Sequence, residues 1–227
     1  MKKIVILVAG GSGTRMGADI PKQFLMLQNK PILLHTIETF LAAIPEISII
    51  VVLPKAQISY WIELCSQYKE VPEHEIVSGG ETRFHSSLNG INSIHEEEEA
   101  LVAIHDGVRP FPDITKIRNA YQLAELKGNA VFAIDSKDSI RKWNTEQQTY
   151  LSIPRDEVKL VQTPQIFRLN SLKKAFSIGF KSFFTDDASV IEHAGEAIHL
   201  IDGNYENIKI TTPEDLDFAE VILNKRK

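Results

Sequence analysis

Short runs rich in Val and Ile recur at Ile4–Ala9, Ile47–Leu53, Leu101–Ile104 and Ala130–Ile134. Uninterrupted apolar runs of this kind suit strands covered on both faces, because a strand with one wet face would alternate apolar and polar residues. Between the runs, apolar residues return at helical spacing: Leu33, Ile37, Phe40 and Leu41, then Ile58, Ile62 and Cys65, then Leu88, Ile91 and Ile94, then Ile117, Tyr121 and Ala124. Alternating strands and helices predict an α/β fold, a Rossmann-like domain whose helices flank a mostly parallel, twisted sheet.

The alternation breaks at Asp135–Arg155, where Lys137, Asp138, Arg141, Lys142 and the polar run from Asn144 to Gln148 leave little to bury. Polar loops of this length are uncommon unless functional or disordered, so the segment is read as a projecting β-hairpin arm, with an ordinary long surface loop as the alternative. Helical pattern resumes near Leu172–Phe176 and at Asp186–Ala194, a strand is expected at Ala197–Ile201, and a closing helix after Pro213. At 227 residues with no internal repeat, the chain reads as a single domain over 1–227 with 135–155 as the arm.

Composition then narrows the function classes. Hydrophobic residues at 43% and charged residues at 24% describe an ordinary soluble globular chain. A net charge of −5 speaks against nonspecific nucleic-acid binding, so an anionic ligand must be met by local positive charge. The single cysteine, Cys65, cannot form an internal disulfide, and with no zinc-type Cys/His spacing a reducing cytoplasm is the expected compartment. Cys65 itself reads as a small buried hydrophobe. No apolar run approaches the ~20 residues a membrane helix requires, and Ile4–Ala9 enters a Gly-rich segment without a signal cleavage site.

That Gly-rich segment, Ala9-Gly10-Gly11-Ser12-Gly13-Thr14-Arg15-Met16-Gly17, directly follows the first strand, where open α/β sheets bind ligands. Glycines there let backbone N–H groups approach phosphate closely. Two familiar alternatives fail. The dinucleotide fingerprint needs glycine at Met16, and the phosphate-binding P-loop ends in Gly-Lys-Ser/Thr, which is absent. Arg15 and Lys22, the latter in Ile20-Pro21-Lys22-Gln23-Phe24, place two cations in one irregular segment, within reach of one triphosphate.

Gly10-Gly11-x-Gly13-x-Arg15-Met16 followed by Pro21-Lys22-Gln23 resembles the signature of nucleotidyltransferases that activate phosphorylated sugars and alditols. His105-Asp106-Gly107-Val108-Arg109-Pro110, Thr163-Pro164-Gln165, Thr185-Asp186-Asp187-Ala188-Ser189 and Asn207-Ile208-Lys209-Ile210-Thr211 resemble, in order, landmarks of the 2-C-methyl-D-erythritol 4-phosphate cytidylyltransferases. The resemblance implies transfer of CMP from CTP to methylerythritol phosphate, with release of pyrophosphate, in non-mevalonate isoprenoid synthesis. It implies Arg15 and Lys22 as transition-state stabilisers at the α-phosphate, and Arg155 and Lys209 as the cations that hold the acceptor phosphate. Ala9, Gly10, Gly11 and Gly13 would cradle CTP, while Gly80, Glu81 and Ser86 match the segment that reads cytosine. Asp106 and Arg109 fall at ligand-binding positions, and Mg²⁺ is expected to be carried mainly by the CTP phosphates, with no protein residue assigned as its ligand. Ser139 stands where the family usually places threonine, on an arm that in the family reaches into a second subunit. A homodimer through 135–155 is therefore implied, with Ser139 and Arg155 serving the neighbour's site.

Gly10 departs from the alanine usual in that family, Glu81 from its common aspartate, and Glu206 precedes Asn-Ile-Lys where the family varies. Ala-Gly-Gly is typical of the sister ribitol-5-phosphate cytidylyltransferases, which are the alternative reading. Pro154-Arg155-Asp156 and the Thr185–Ser189 stretch with Glu192 favour the methylerythritol enzymes. A catalytically silent nucleotide-binding module on the same fold is the alternative of another class, and the retention of Arg15, Lys22, Arg155 and Lys209 argues against it.

Overall fold

The computed structural model describes residues 1–10, 20–95 and 99–226. The elements in chain order are β1 (Lys2–Val8), β2 (Met26–Leu27), β3 (Lys30–Pro31), α1 (Ile32–Ala43), β4 (Ser48–Leu53), α2 (Ile58–Ser66), β5 (Glu75–Ser78), α3 (Arg83–Asn92), β6 (Ala100–Asp106), α4 (Ile114–Lys127) and β7 (Asn129–Asp135). They continue with β8 (Ile140–Asn144), β9 (Thr149–Ile153), β10 (Lys159–Arg168), α5 (Leu169–Phe176), α6 (Asp187–His193), β11 (Leu200–Asp202) and α7 (Pro213–Lys225). A seven-stranded sheet runs in the order β11-β7-β10-β6-β1-β4-β5.

The apolar runs are continuous because this sheet is covered twice. In β1, Val5 and Leu7 join the core shared with α1, α2 and α4, while Ile4, Ile6 and Val8 join the core shared with α3, α5 and α6. β4 divides in the same way, Ile49, Val51 and Leu53 on one face and Ile50 and Val52 on the other. A smaller third cluster packs Ile222 and Ala219 of α7 against Leu27, Ile32, Val108 and Phe111.

The parallel part consists of β6, β1, β4 and β5, with β11 parallel to β7. β10 is antiparallel to both β6 and β7. Sequence pattern did not predict β10, because Gln162, Thr163, Pro164 and Gln165 interrupt its apolar residues and proline argues against a central strand. The structure accommodates them with a register shift between Val161 and Gln165 and a cis Thr163–Pro164 peptide. The short edge strand β5 was also missed.

Two further differences have local causes. Helix α2 forms as expected but turns another face inward: Trp61 and Leu64 are buried, whereas Ile62 is 55% exposed. Trp61 stacks on Phe24 at 5.6 Å, and its indole N–H donates to His74 at 2.9 Å. Pairing at the final strand begins at Leu200 rather than Ala197, because the Asn129 side chain donates to the Ala197 carbonyl and accepts from the His199 N–H, both at 2.8 Å.

The 135–155 segment contains a hairpin, β8 and β9 pairing antiparallel in a two-stranded sheet of their own. Trp143 and Tyr150 pack edge to face across it at 5.0 Å and both are exposed. Among the described residues no helix is long and apolar enough to cross a membrane.

The chain leaves β1 through α1 to β4 and β5 on one side, then returns through α3 to β6 on the other. α1 and α3 cover opposite faces, so a crevice opens at the carboxyl ends of β1 and β6, the usual place for a ligand in such sheets. Gly107 lets the β6 turn cross close to β1: its N–H donates to the Val8 carbonyl at 2.9 Å, and a side-chain carbon there would lie 2.9 Å from Ala9 Cβ.

The inward face of α2 is open to test. Trp61→Ala is expected to cost about 3–5 kcal/mol, the range for emptying a buried aromatic site, while Ile62→Gln should change stability by less than about 0.5 kcal/mol. Urea unfolding midpoints of the two variants check this.

Candidate functional site

The crevice forms a cavity of about 300 Å³, at the small end of the range for small-molecule sites. Ala9 and Gly10 enter it from the end of β1, Lys22 from the 3₁₀ turn Lys22–Phe24, and Gly80, Glu81 and Ser86 from the turn into α3. Asp106 contributes from the end of β6 and Lys209 from the segment before α7. Eight of the expected residues, far apart in the chain, therefore line one cavity. A larger groove of about 750 Å³ lies at the amino ends of β1 and β4, beside Lys2, Ser48 and His74, and contains none of them.

The turn holding Lys22 is fastened by its neighbour. Gln23, fully buried, donates from Nε2 to the Ala9 carbonyl at 2.8 Å and to Gln57 at 2.6 Å. On the opposite wall, Thr82 caps α3 by accepting from the His85 N–H, and the Gly80 N–H donates to Ser86 Oγ at 3.2 Å. Gly80 has to be glycine, because a Cβ there would overlap the His85 Cβ. Gly10 does not: a Cβ would meet Ser86 Oγ at an ordinary 3.6 Å.

Asp106 is the electrostatic centre of the site. Its Oδ1 lies 3.5 Å from Arg83 Nε, and its Oδ2 lies 3.1 Å from Arg109 Nε and 3.0 Å from Lys209 Nζ. Burial alone would raise its pKa, but Arg83, Lys209 and Arg109 outweigh that and hold the carboxyl well below the usual carboxylate range. The Arg83 pKa is lowered by burial but raised more by Asp187 and Asp106, so both charges persist. The Asp106 N–H donates to Thr163 Oγ1 at 3.1 Å, tying the carboxylate to the irregular part of β10.

Lys209 is placed by the same strand. Asn207, fully buried, donates to the Thr163 carbonyl at 2.7 Å and to Gln162 at 3.2 Å, and its own carbonyl accepts from Arg109 at 2.8 Å. The Ile210 N–H bonds to the Val108 carbonyl at 3.0 Å. His105 fixes Arg109 from below: its Nε2–H donates to the Arg109 carbonyl at 2.9 Å, and complete burial pushes its pKa down to about 4, leaving the ring neutral.

Arg15, Gly11 and Gly13 lie outside the described residues. Ser139 and Arg155 do not line this cavity: Ser139 is exposed just before β8, and Arg155 is exposed in the 3₁₀ turn after β9. The residues that sequence reasoning overlooked are Arg83, Gln23, His105, Thr163 and Asp187. Gln23, His105, Thr163 and Asp187 stand inside the motifs quoted above and Arg83 stands between Glu81 and Ser86, but nothing short of their burial and pairing distinguishes them from their neighbours.

Among the described residues, Glu81 and Asp106 are the carboxylates of the cavity wall, and Asp106 is already engaged by three cations. Among the described residues no group of three or more His, Cys, Asp or Glu side chains is arranged to hold a metal.

Against this geometry, the profile of the 2-C-methyl-D-erythritol 4-phosphate cytidylyltransferase (IspD) family matches residues 3–225. The chain belongs to this family. A 2-C-methyl-D-erythritol 4-phosphate cytidylyltransferase of Bacteroides thetaiotaomicron is 46% identical over 223 residues, covering 98% of this chain and 100% of that one. The Porphyromonas gingivalis protein of the same name is 43% identical and covers 98% of each chain. The solved Francisella tularensis cytidylyltransferase superposes with a TM-score of 0.80 at 31% identity, over 97% of this chain and 99% of that one. The solved 4-diphosphocytidyl-2C-methyl-D-erythritol synthase of Anaerococcus prevotii gives 0.83 at 27%, over 98% of each. Members of the cytidylyltransferase family are nucleotidyltransferases, and the mostly parallel sheet with its flanking helices is theirs.

His105 makes the stability of the site pH-dependent. It is neutral when folded and titrates near 6.5 when unfolded, so protonation favours the unfolded chain, and the stability present above pH 6.5 is lost as pH falls towards 4. The loss is about 1.4 kcal/mol per pH unit within that window. Urea unfolding between pH 7 and 4.5 should show a slope that is shallower by about this amount in His105→Asn.

Proposed function

We propose that the cavity binds CTP and that the enzyme transfers its cytidylyl group to 2-C-methyl-D-erythritol 4-phosphate, giving 4-diphosphocytidyl-2-C-methyl-D-erythritol and pyrophosphate. The observation that carries this reading is the convergence of Lys22, the Gly80–Ser86 turn and Lys209 on one cavity in a chain of this family. The work is assigned to the cytoplasm, in keeping with a lone cysteine, Cys65, whose thiol burial pushes up to about 11 and out of easy reaction.

In this reading a phosphate oxygen of the acceptor attacks the α-phosphorus of CTP. The new P–O bond forms as the bond from the α-phosphorus to the bridging oxygen breaks, and the electron pair leaves with pyrophosphate. Negative charge gathers on the crowded α-phosphorus, where Lys22 and Arg15 stabilise it more than they stabilise the ground state. The ionised monoester is already the nucleophile, so no protein base is required and positioning supplies much of the rate. Mg²⁺ carried by the CTP phosphates offsets part of their charge.

The Gly80–Ser86 turn reads the base, and its tight closure onto α3 favours a pyrimidine over a purine. Backbone groups of Ala9, Gly10, Gly11 and Gly13 cradle the phosphates, and Glu81, Asp106 and Arg109 complete the nucleotide side. Lys209 holds the acceptor phosphate. Asp106 keeps Lys209 aimed until an anion competes for it.

The acceptor site is completed by a second copy. Ser139 and Arg155 stand outside the cavity of their own chain, and the hairpin between them exposes Trp143, Tyr150 and Leu151. We assign these to a homodimer in which the 135–155 arm delivers Ser139 and Arg155 to the neighbour's cavity.

Pyrophosphate release from CTP, with methylerythritol phosphate and ribitol 5-phosphate as rival acceptors, tests the reaction. Methylerythritol phosphate is expected to be used in strong preference, and turnover only with ribitol 5-phosphate would replace it as acceptor. Lys22→Ala should lower turnover at saturation by about a hundredfold, the order found when one preorganised charge-stabilising donor is removed. An unchanged turnover number would remove Lys22 from the reacting phosphate.

Sharing of sites is tested by mixing. Lys22→Ala and Arg155→Ala proteins, each inactive alone, should regain up to about a quarter of wild-type activity after random subunit exchange, because each heterodimer contains one intact site. Exchange without recovery would place Arg155 in its own chain's site.

A further inference from the structure

Asp187 belongs to no role described above, yet it is among the most completely buried charged groups in the protein. It opens α6 with a side chain 1% exposed, and its Oδ2 lies 2.6 Å from Nη2 of Arg83. Among the described residues neither of these two atoms has a hydrogen-bond partner elsewhere, so each depends on the other's charge. A buried charge deprived of its partner is costly, which makes the pair a stringent constraint on where Arg83 can lie.

The anchor of this pair is itself rigid. Asp186 caps α6 in a reciprocal box with Ser189. Gln165 on β10 grips the same turn twice, donating to Asp186 Oδ2 and accepting from the Ala188 N–H, both at 2.8 Å. Asp187 is therefore held at a set position relative to the sheet.

Arg83 is the end of the pair that lines the cavity. It is the first residue of α3 and lies between Glu81 and Ser86, in the turn whose closure depends on the bond from Gly80 to Ser86. Its Nε reaches towards Asp106 at 3.5 Å while Nη2 reaches Asp187 at 2.6 Å. With Asp187 removed, Asp106 is the remaining carboxylate in ion-pair contact with Arg83 among the described residues, and the guanidinium and its turn are drawn towards it.

We propose that Asp187 is a positioning residue for the nucleotide: acting through Arg83, it fastens the base-reading turn to α6 and keeps the cavity shaped for the pyrimidine. Asp187 does not line the cavity, so its effect passes entirely through Arg83. The proposal rests on the reading of this cavity as the CTP site.

The experiment is a double-mutant cycle of Arg83→Gln and Asp187→Asn, read as KM for CTP, turnover number and KM for the acceptor, with calorimetric CTP binding to the wild type and to each variant alongside. Each single variant is expected to raise the KM for CTP about tenfold, with turnover and acceptor KM within about threefold of wild type. The double variant should be no more than about twofold worse than either single one, as for two residues acting as a unit. Multiplying effects, or a fall in turnover with the KM for CTP unchanged, would overturn the proposal. Should Asp187→Asn fail to fold, Asp187→Glu takes its place in the cycle, and the same split between KM for CTP and turnover is required of it. Failure of the wild type to bind CTP would sink the reading of the cavity, whereas normal CTP binding by wild type and variants alike would sink only the role of Asp187.

Discussion

The Asp106 carboxylate, buried at the end of β6, has three cations around it that arrive from three other parts of the chain. Arg83 comes from the start of α3, Arg109 from the turn after β6, and Lys209 from the segment leading into α7. Paired with one carboxylate, these cations do not repel one another apart, and the site keeps a surplus of positive charge facing a cavity. A chain whose net charge is −5 thereby gathers Lys22, Arg83 and Lys209 at one cavity.

The scaffolding of that wall is mostly backbone and amide. Gln23 holds the Lys22 turn to Ala9, Thr163 accepts from the Asp106 N–H, and Asn207 fastens the Lys209 segment to β10. β10 supplies Gln162, Thr163 and Gln165, which together tie Asp106, Lys209 and the start of α6 to one strand. The irregular stretch that obscured β10 in the sequence is thus the part of the strand that organises the site. Polar residues in a buried strand are affordable because every one of them has a structural partner.

The geometry also orders the departures in the motifs. Gly10, which stands where the cytidylyltransferases usually have alanine, has room for a methyl group beside Ser86, so either residue fits the local backbone. Gly80, by contrast, is constrained by the His85 backbone and side chain. The two glycines look alike in the sequence and differ only in what crosses near them.

The alternation of apolar runs and helical spacings determined by itself that this chain forms a doubly covered, mostly parallel sheet, because burial of both faces leaves an unmistakable pattern in β1, β4, β6 and β7. The glycine-rich segment with Arg15 and Lys22 pointed to a phosphate ligand by residue type, whereas Asp106 and Lys209 stood out only through the resemblance of their motifs. Tertiary structure alone decided which face α2 buries, since Trp61 rather than Ile62 meets Phe24. It alone revealed β10, where proline and polar residues conceal a strand. It alone made Arg83 and Asp187 a pair, because two charges 104 positions apart acquire meaning only when folding removes the water between them.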